Sequence, residues 1–115
     1  MSNTTGDFNT FLGDYSGNAN TIAGSNTFIG NSTGSRTTTG GLNVFLGSST
    51  GYLNTTGQQN TYIGSLAGLT NTDGERNVYL GFQAGYNATG NDKLYIENSN
   101  SNAPLIYGEF NNDTN

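Results

Sequence analysis

The chain has 115 residues, of which 64 are Asn, Gly, Thr or Ser; 31% are hydrophobic, 10% are charged, the net charge is −5, and there is no cysteine or histidine. Three basic residues cannot supply the clustered Lys and Arg that phosphate or anionic-lipid binding requires, so nucleic-acid and polybasic membrane partners are excluded. The lack of cysteine excludes a disulfide framework and a thiolate metal site, and aromatics at 11% in a fixed period exclude simple disorder.

In chain order, residues 1–8 (MSNTTGDF) carry neither a basic nor an apolar region of a signal peptide and read as a lead-in or N-terminal cap. No apolar run approaches the roughly 20 residues of a membrane span, so membrane insertion is not expected. At Asn9 a block begins, Asn-(Thr/Val)-(Phe/Tyr)-(Leu/Ile)-Gly-x-x-(Ser/Thr/Ala)-Gly, that recurs at 9–17, 26–34, 43–51, 60–68 and 77–85, a strict period of 17. A degraded copy, Lys93-Leu94-Tyr95-Ile96-Glu97, arrives one residue early. Each block holds a short β-prone run bounded by glycines, which predicts strand, corner, short strand and loop in repetition. A helix is excluded because glycine recurs every few residues and no 3.6-residue apolar stripe survives. Residues 98–115 break the period. Pro104 precedes a strand-like Leu105-Ile106-Tyr107, read as a cap or transition over the last coil, and Asn111–Asn115 read as a frayed tail.

One narrow coil of a parallel β-solenoid accommodates 17 residues, with successive coils about 4.8 Å apart. The expected fold is therefore all-β, a β-roll of about six coils over residues 9–97, in which stacking supplies the core that no single repeat can build. Recurrent positions then become ladders. Asn9, Asn26, Asn43, Asn60 and Asn77 form a structural column of carboxamides able to hydrogen-bond along the axis. Thr21, Thr38, Thr55, Thr72 and Thr89 form a second polar column. Phe11, Phe28, Phe45, Tyr62, Tyr79 and Tyr95 form an aromatic ladder, and Leu12, Ile29, Leu46, Ile63, Leu80 and Ile96 its aliphatic neighbour. Adjacent strand residues point to opposite faces, so one ladder fills the interior and the other faces outward. Six outward apolar rungs make a stripe larger than a soluble monomer usually exposes, and identical copies of the chain are the simplest cover.

The block resembles the Gly-x-x-Ala/Ser repeats of trimeric autotransporter adhesin heads, and the segment Lys93-Leu94-Tyr95-Ile96-Glu97-Asn98-Ser99 through Pro104-Leu105-Ile106-Tyr107-Gly108-Glu109-Phe110 resembles the sequence after such repeats in bacterial surface and phage-tail-fibre-like proteins. Autotransporter head coils are typically shorter than 17 residues. The resemblance implies a β-roll packed as a homotrimer, placed outside the cell, on a cell surface or in a virion fibre. It also implies a role as rigid spacer, stalk or head that supports adhesion to a glycan or protein receptor.

Catalysis is not expected. Serines and threonines have no histidine or cysteine to work with, and Asp7, Asp14, Asp73, Glu75, Asp92, Glu97, Glu109 and Asp113 share no repeat column. Repeat-encoded calcium needs a carboxylate in every coil, which the blocks at 26 and 43 lack, so no metal or other cofactor is expected. The alternative is a monomeric ice-binding or glycan-binding solenoid. For ice the threonine column is complete, but the residues two before it, Ala19, Arg36, Leu53, Thr70 and Asn87, are irregular. For glycans, Tyr15, Tyr52, Phe82 and Tyr86 lie outside the two ladders and are the candidates for stacking on sugar rings. Sequons at Asn31, Asn54 and Asn87 follow from the Asn/Thr-rich composition.

Overall fold

The computed structural model describes residues 2–111, so the predicted fraying at the C-terminal tail falls mostly outside the described residues. Seven short strands form a single sheet in sequence order: β1 (Thr10–Leu12), β2 (Thr27–Ile29), β3 (Val44–Leu46), β4 (Thr61–Ile63), β5 (Val78–Leu80), β6 (Lys93–Ile96) and β7 (Ile106–Glu109). Strands β1 to β6 pair in parallel, each residue beside its copy in the next repeat: Phe11 pairs with Phe28, Phe45 with Tyr62 and Tyr79 with Tyr95. The protein is thus an all-β parallel solenoid of five complete turns, 9–25, 26–42, 43–59, 60–76 and 77–92. The sixth coil expected from Lys93 onward starts with β6 but does not close. Instead the chain turns back and lays β7 antiparallel on β6, with Tyr95 opposite Tyr107. Residues 3–8 lie in the register of the second half of a preceding turn, since Thr4 Oγ1 donates to Thr21 O as Thr21 Oγ1 donates to Thr38 O.

The rings occupy the interior. Phe28, Phe45, Tyr62 and Tyr79 are fully buried, and the aliphatic ladder faces out, as strand alternation requires. Neighbouring rings from Phe11 to Tyr79 stack at 4.6–5.1 Å with interplanar angles of 6–15°. That separation is the inter-strand spacing itself, because each ring repeats at the same sheet position. Turn five is one residue shorter, and beyond it the pattern changes: Tyr95 tilts 58° to Tyr79, and Tyr107 meets it edge-on at 69°.

Rings alone do not fill a coil of a chain this polar. The rest of the interior is built from Ser16, Thr33 and Thr50 on one side and Asn20, Thr37, Asn54 and Asn71 on another, all buried. These groups serve the backbone: Thr33 Oγ1 donates to Gly47 O and Thr50 Oγ1 to Gly64 O, both in the following turn. Where the ladder changes from Phe to Tyr, in turns four and five, the first of these positions becomes Ala67 and Ala84.

The corners carry the local strain. Among the described residues, eleven that are not glycine have φ between +54° and +64°, and they fall in two columns: Tyr15, Ser32, Ser49, Leu66 and Gln83, then Phe8, Ser25, Leu42, Gln59, Arg76 and Asp92. A left-handed L-residue costs roughly 1–2 kcal/mol. From Ser25 onward it is offset because the N–H of each of these residues reaches the preceding turn, as in Ser49 N to Asn31 O at 2.8 Å and Gln59 N to Gly41 O at 3.0 Å. The recurrent glycines signalled corners in the sequence, yet these left-handed sites are held by residues as unlike as Ser, Leu and Arg.

Candidate functional site

The asparagine column is where each turn is closed and joined to the next. Asn43 Nδ2 donates to Gly57 O at 2.9 Å, linking the start of its turn to the end, while its Oδ1 accepts the Asn60 N–H at 3.0 Å. Asn26 and Asn60 repeat both bonds, and Asn9 and Asn77 do the same at the two ends. The carboxamides therefore bond chiefly to backbone; one direct amide–amide contact, Asn60 Nδ2 to Asn43 Oδ1 at 3.2 Å, matches the expected stacking of like on like. The threonine column behaves similarly: Thr21, Thr38 and Thr55 each donate a hydroxyl to the same position of the following turn at 3.0–3.2 Å. Those protons are spent within the chain, which leaves the column poorly suited to an external hydroxyl lattice.

The surface with the most regular chemistry is the outer face of the sheet. It consists of two adjoining columns, Thr10, Thr27, Val44, Thr61, Val78 and Leu94 beside Leu12, Ile29, Leu46, Ile63, Leu80 and Ile96, with no charge in either. Leu12 is 65% exposed, Leu46 42% and Ile63 39%; Ile29, Leu80 and Ile96 are half-buried. At the β6 end the face meets exposed Leu105 and Ile106 and indents into a notch of about 220 Å³ lined by Leu80, Gly81, Ile96, Glu97, Asn98 and Leu105. Glu97 shapes that end by accepting the N–H of Leu105 at 3.0 Å and of Asn98 at 2.6 Å. The aliphatic ladder read from the sequence is thus brought together along its whole length.

The candidate sugar-stacking residues are not brought together. Tyr15 and Phe82 sit at separate corners near opposite ends, exposed, whereas Tyr52 and Tyr86 are half-buried on another side two turns apart. The Arg36 guanidinium lies 5.4 Å from the Tyr52 ring centre and covers it. Charged groups cluster at one corner, where Arg76 binds Asp92 through Nε at 2.6 Å and Nη2 at 3.0 Å and holds Glu75 at 2.8 Å. This bidentate contact keeps the Asp92 carboxyl below its usual range and ties turn four to turn five. Among the described residues no three acidic side chains gather where they could hold a metal ion.

Two buried phenols have titration consequences. Burial pushes Tyr62 and Tyr79 well above the ordinary phenol value, and Asn71 Nδ2 donating to the Tyr79 oxygen offsets the effect only in part. A raised folded pKa means the stability tied to these protons is intact below the unfolded value near 10 and is lost as pH climbs through the folded value. Unfolding free energy is expected to hold to about pH 10 and then fall, at a slope approaching about 1.4 kcal/mol per pH unit per phenol, and the melting temperature falls with it. Tyr62→Phe combined with Tyr79→Phe should flatten that decline, which melting curves from pH 8 to 12 will check. A decline of the same steepness in the double variant would assign it to other groups, Tyr107 first, whose hydrogen bond to Glu109 lifts it to about 12.

The buried column Asn20, Asn54 and Asn71, which exposed Asn3 extends at the first end, is not marked in the sequence, because Thr37 interrupts its 17-residue spacing. Comparison of the chain with protein-family models, curated proteins and solved structures returns no match.

Proposed function

We propose that this chain is a structural module of an extracellular fibre, a rigid spacer or head on a bacterial surface or phage tail, whose copies associate side by side through the outer face of the sheet. The observation that carries the reading is the uncharged outer face running over six parallel strands, a continuous aliphatic column beside a mixed Thr/Val/Leu column, with Leu12 and Leu46 well exposed. Such a stripe on a monomer would be a liability for solubility, and self-association about a shared axis removes it. The ladder of backbone bonds and stacked rings beneath supplies stiffness without charge or disulfides. Three copies is the number implied by the resemblance to trimeric adhesin heads. Adhesion to a glycan or protein receptor is the natural extension of the same role.

Light scattering on a size-exclusion column tests it. The expected mass is three times the 12.1 kDa of the chain. Leu46→Lys places a charge in the middle of the face without touching the interior, so it should return the mass to one chain while the far-ultraviolet spectrum is retained. A wild-type mass of 12.1 kDa would overturn the association.

A further inference from the structure

The ring stack changes chemistry along its length. The rings of the first three turns are Phe11, Phe28 and Phe45, whereas Tyr62, Tyr79, Tyr95 and Tyr107 follow one another beyond them. A phenol gives up an electron far more readily than a phenyl ring, so the second half of the stack is an unbroken run of oxidisable groups. Its ring centres are separated by 4.6, 5.3 and 5.5 Å, close enough for an electron to pass directly from ring to ring.

The run has one outlet. Tyr62 and Tyr79 are fully buried and Tyr95 nearly so, while Tyr107 is 50% exposed. A phenol that loses an electron becomes a strong acid, and its oxidation is costly unless a base within hydrogen-bond reach takes the proton. The inner phenols have only carboxamides beside them. Asn71 Nδ2 donates to the Tyr79 oxygen at 3.3 Å, and the Tyr62 hydroxyl, near Asn71 and Asn77, has no hydrogen-bond partner among the described residues. The Tyr107 hydroxyl, by contrast, donates to the Glu109 carboxylate.

We propose that the four stacked tyrosines form a relay that carries oxidising equivalents out of the coil to Tyr107. A one-electron oxidant, such as a high-valent haem or a photo-oxidised metal complex, removes an electron from Tyr62 or Tyr79 and is itself reduced. Electrons from Tyr95 and then Tyr107 fill the vacancy in turn. The Tyr107 O–H bond breaks, its proton goes to Glu109, and the ring is left as a neutral phenoxyl radical at the surface. There a hydrogen-atom donor in solution, a thiol for example, restores it, and the core rings that no reductant can reach are spared. The relay lies within one chain, so it is independent of side-by-side association.

The absence of cysteine makes the test direct. A ruthenium polypyridyl photo-oxidant is attached through Ser48→Cys, an exposed corner of turn three, in a chain also carrying Tyr15→Phe, Tyr52→Phe and Tyr86→Phe. Only the stacked tyrosines then remain. The chain is illuminated with a cobalt(III) ammine as electron acceptor and a nitroso spin trap, and the adduct is located by peptide mass mapping. It is expected chiefly at Tyr107. Tyr79→Phe keeps a ring in the stack but widens the gap between phenols to about 10 Å, and should lower the Tyr107 yield roughly tenfold. Glu109→Gln leaves the rings in place and removes the proton acceptor, so the yield should fall there too. A Tyr107 yield unchanged by either substitution, or adducts chiefly at Tyr62 or Tyr79, would overturn the proposal. Melting curves of each variant, run alongside, check that the stack is retained.

Discussion

Asn43→Ala is expected to destabilise the protein by about 2–4 kcal/mol, more than most single substitutions do. The methyl group removes the acceptor of the buried Asn60 N–H, which is stranded away from water, and one of two donors to Gly57 O, which keeps Asn54 Nδ2 at 3.1 Å. The stranded N–H costs roughly 1–3 kcal/mol and the lost bond to Gly57 O about 0.5–1.5 kcal/mol. The position also closes turn three on itself, so the loss falls on the ring of the turn as well as on the joint between turns. Asn9→Ala, at the partly exposed first turn, should cost visibly less. Denaturant unfolding of both variants measures the difference, and equal losses would show that burial does not set the value of these amides.

Gly51→Ala should be at least as damaging, for a different reason. Gly51 has φ +58°, and a Cβ there would stand 2.5 Å from Phe45 Cε2. Phe45 cannot yield, because Phe28 and Tyr62 stack on its two faces at 4.9 and 4.8 Å. The left-handed backbone adds roughly 1–2 kcal/mol and the overpacking about 1–3 kcal/mol, for a total near 2–5 kcal/mol. In a solenoid each turn contacts only its neighbours, so a defect in the middle turn separates the stack into two halves. The expected result is a lower and broader melting transition. A sharp transition at the wild-type temperature would mean that the ring stack is softer than its geometry implies.

Both variants act on features that differ in how far they can be read from residues alone. Asn43 and Gly51 are conspicuous in the sequence because they recur every 17 residues, and recurrence at the coil period can only mean that each copy meets the next. The aromatic and aliphatic ladders are legible for the same reason, and strand alternation requires that they part to opposite faces. Their assignment to inside and outside is not legible, since either would make an acceptable core. The partners of the asparagines were also out of reach. A column of amides can bond to itself or to backbone, and the closing of each turn by a contact 14 residues away depends on the outline of the coil.

The left-handed corners show the limit most clearly. Leu42, Gln59 and Arg76 share a backbone conformation that none of them favours, so no residue-level signal marks the site. Inter-turn hydrogen bonds impose it, and those exist only once the turns are stacked. The end of the solenoid is similar: Lys93-Leu94-Tyr95-Ile96 reads as another repeat and does pair as one, but whether a sixth turn closes or the chain reverses into β7 was settled by the pairing of Ile106–Glu109 on β6. The sequence by itself determined the period, the parallel register and the identity of the two ladders, because these follow from copies of one pattern meeting one another. Tertiary structure alone decided which ladder is buried, where each amide bonds and how the corners bend, because those depend on the path of the coil between copies, and local residue preferences do not specify that path.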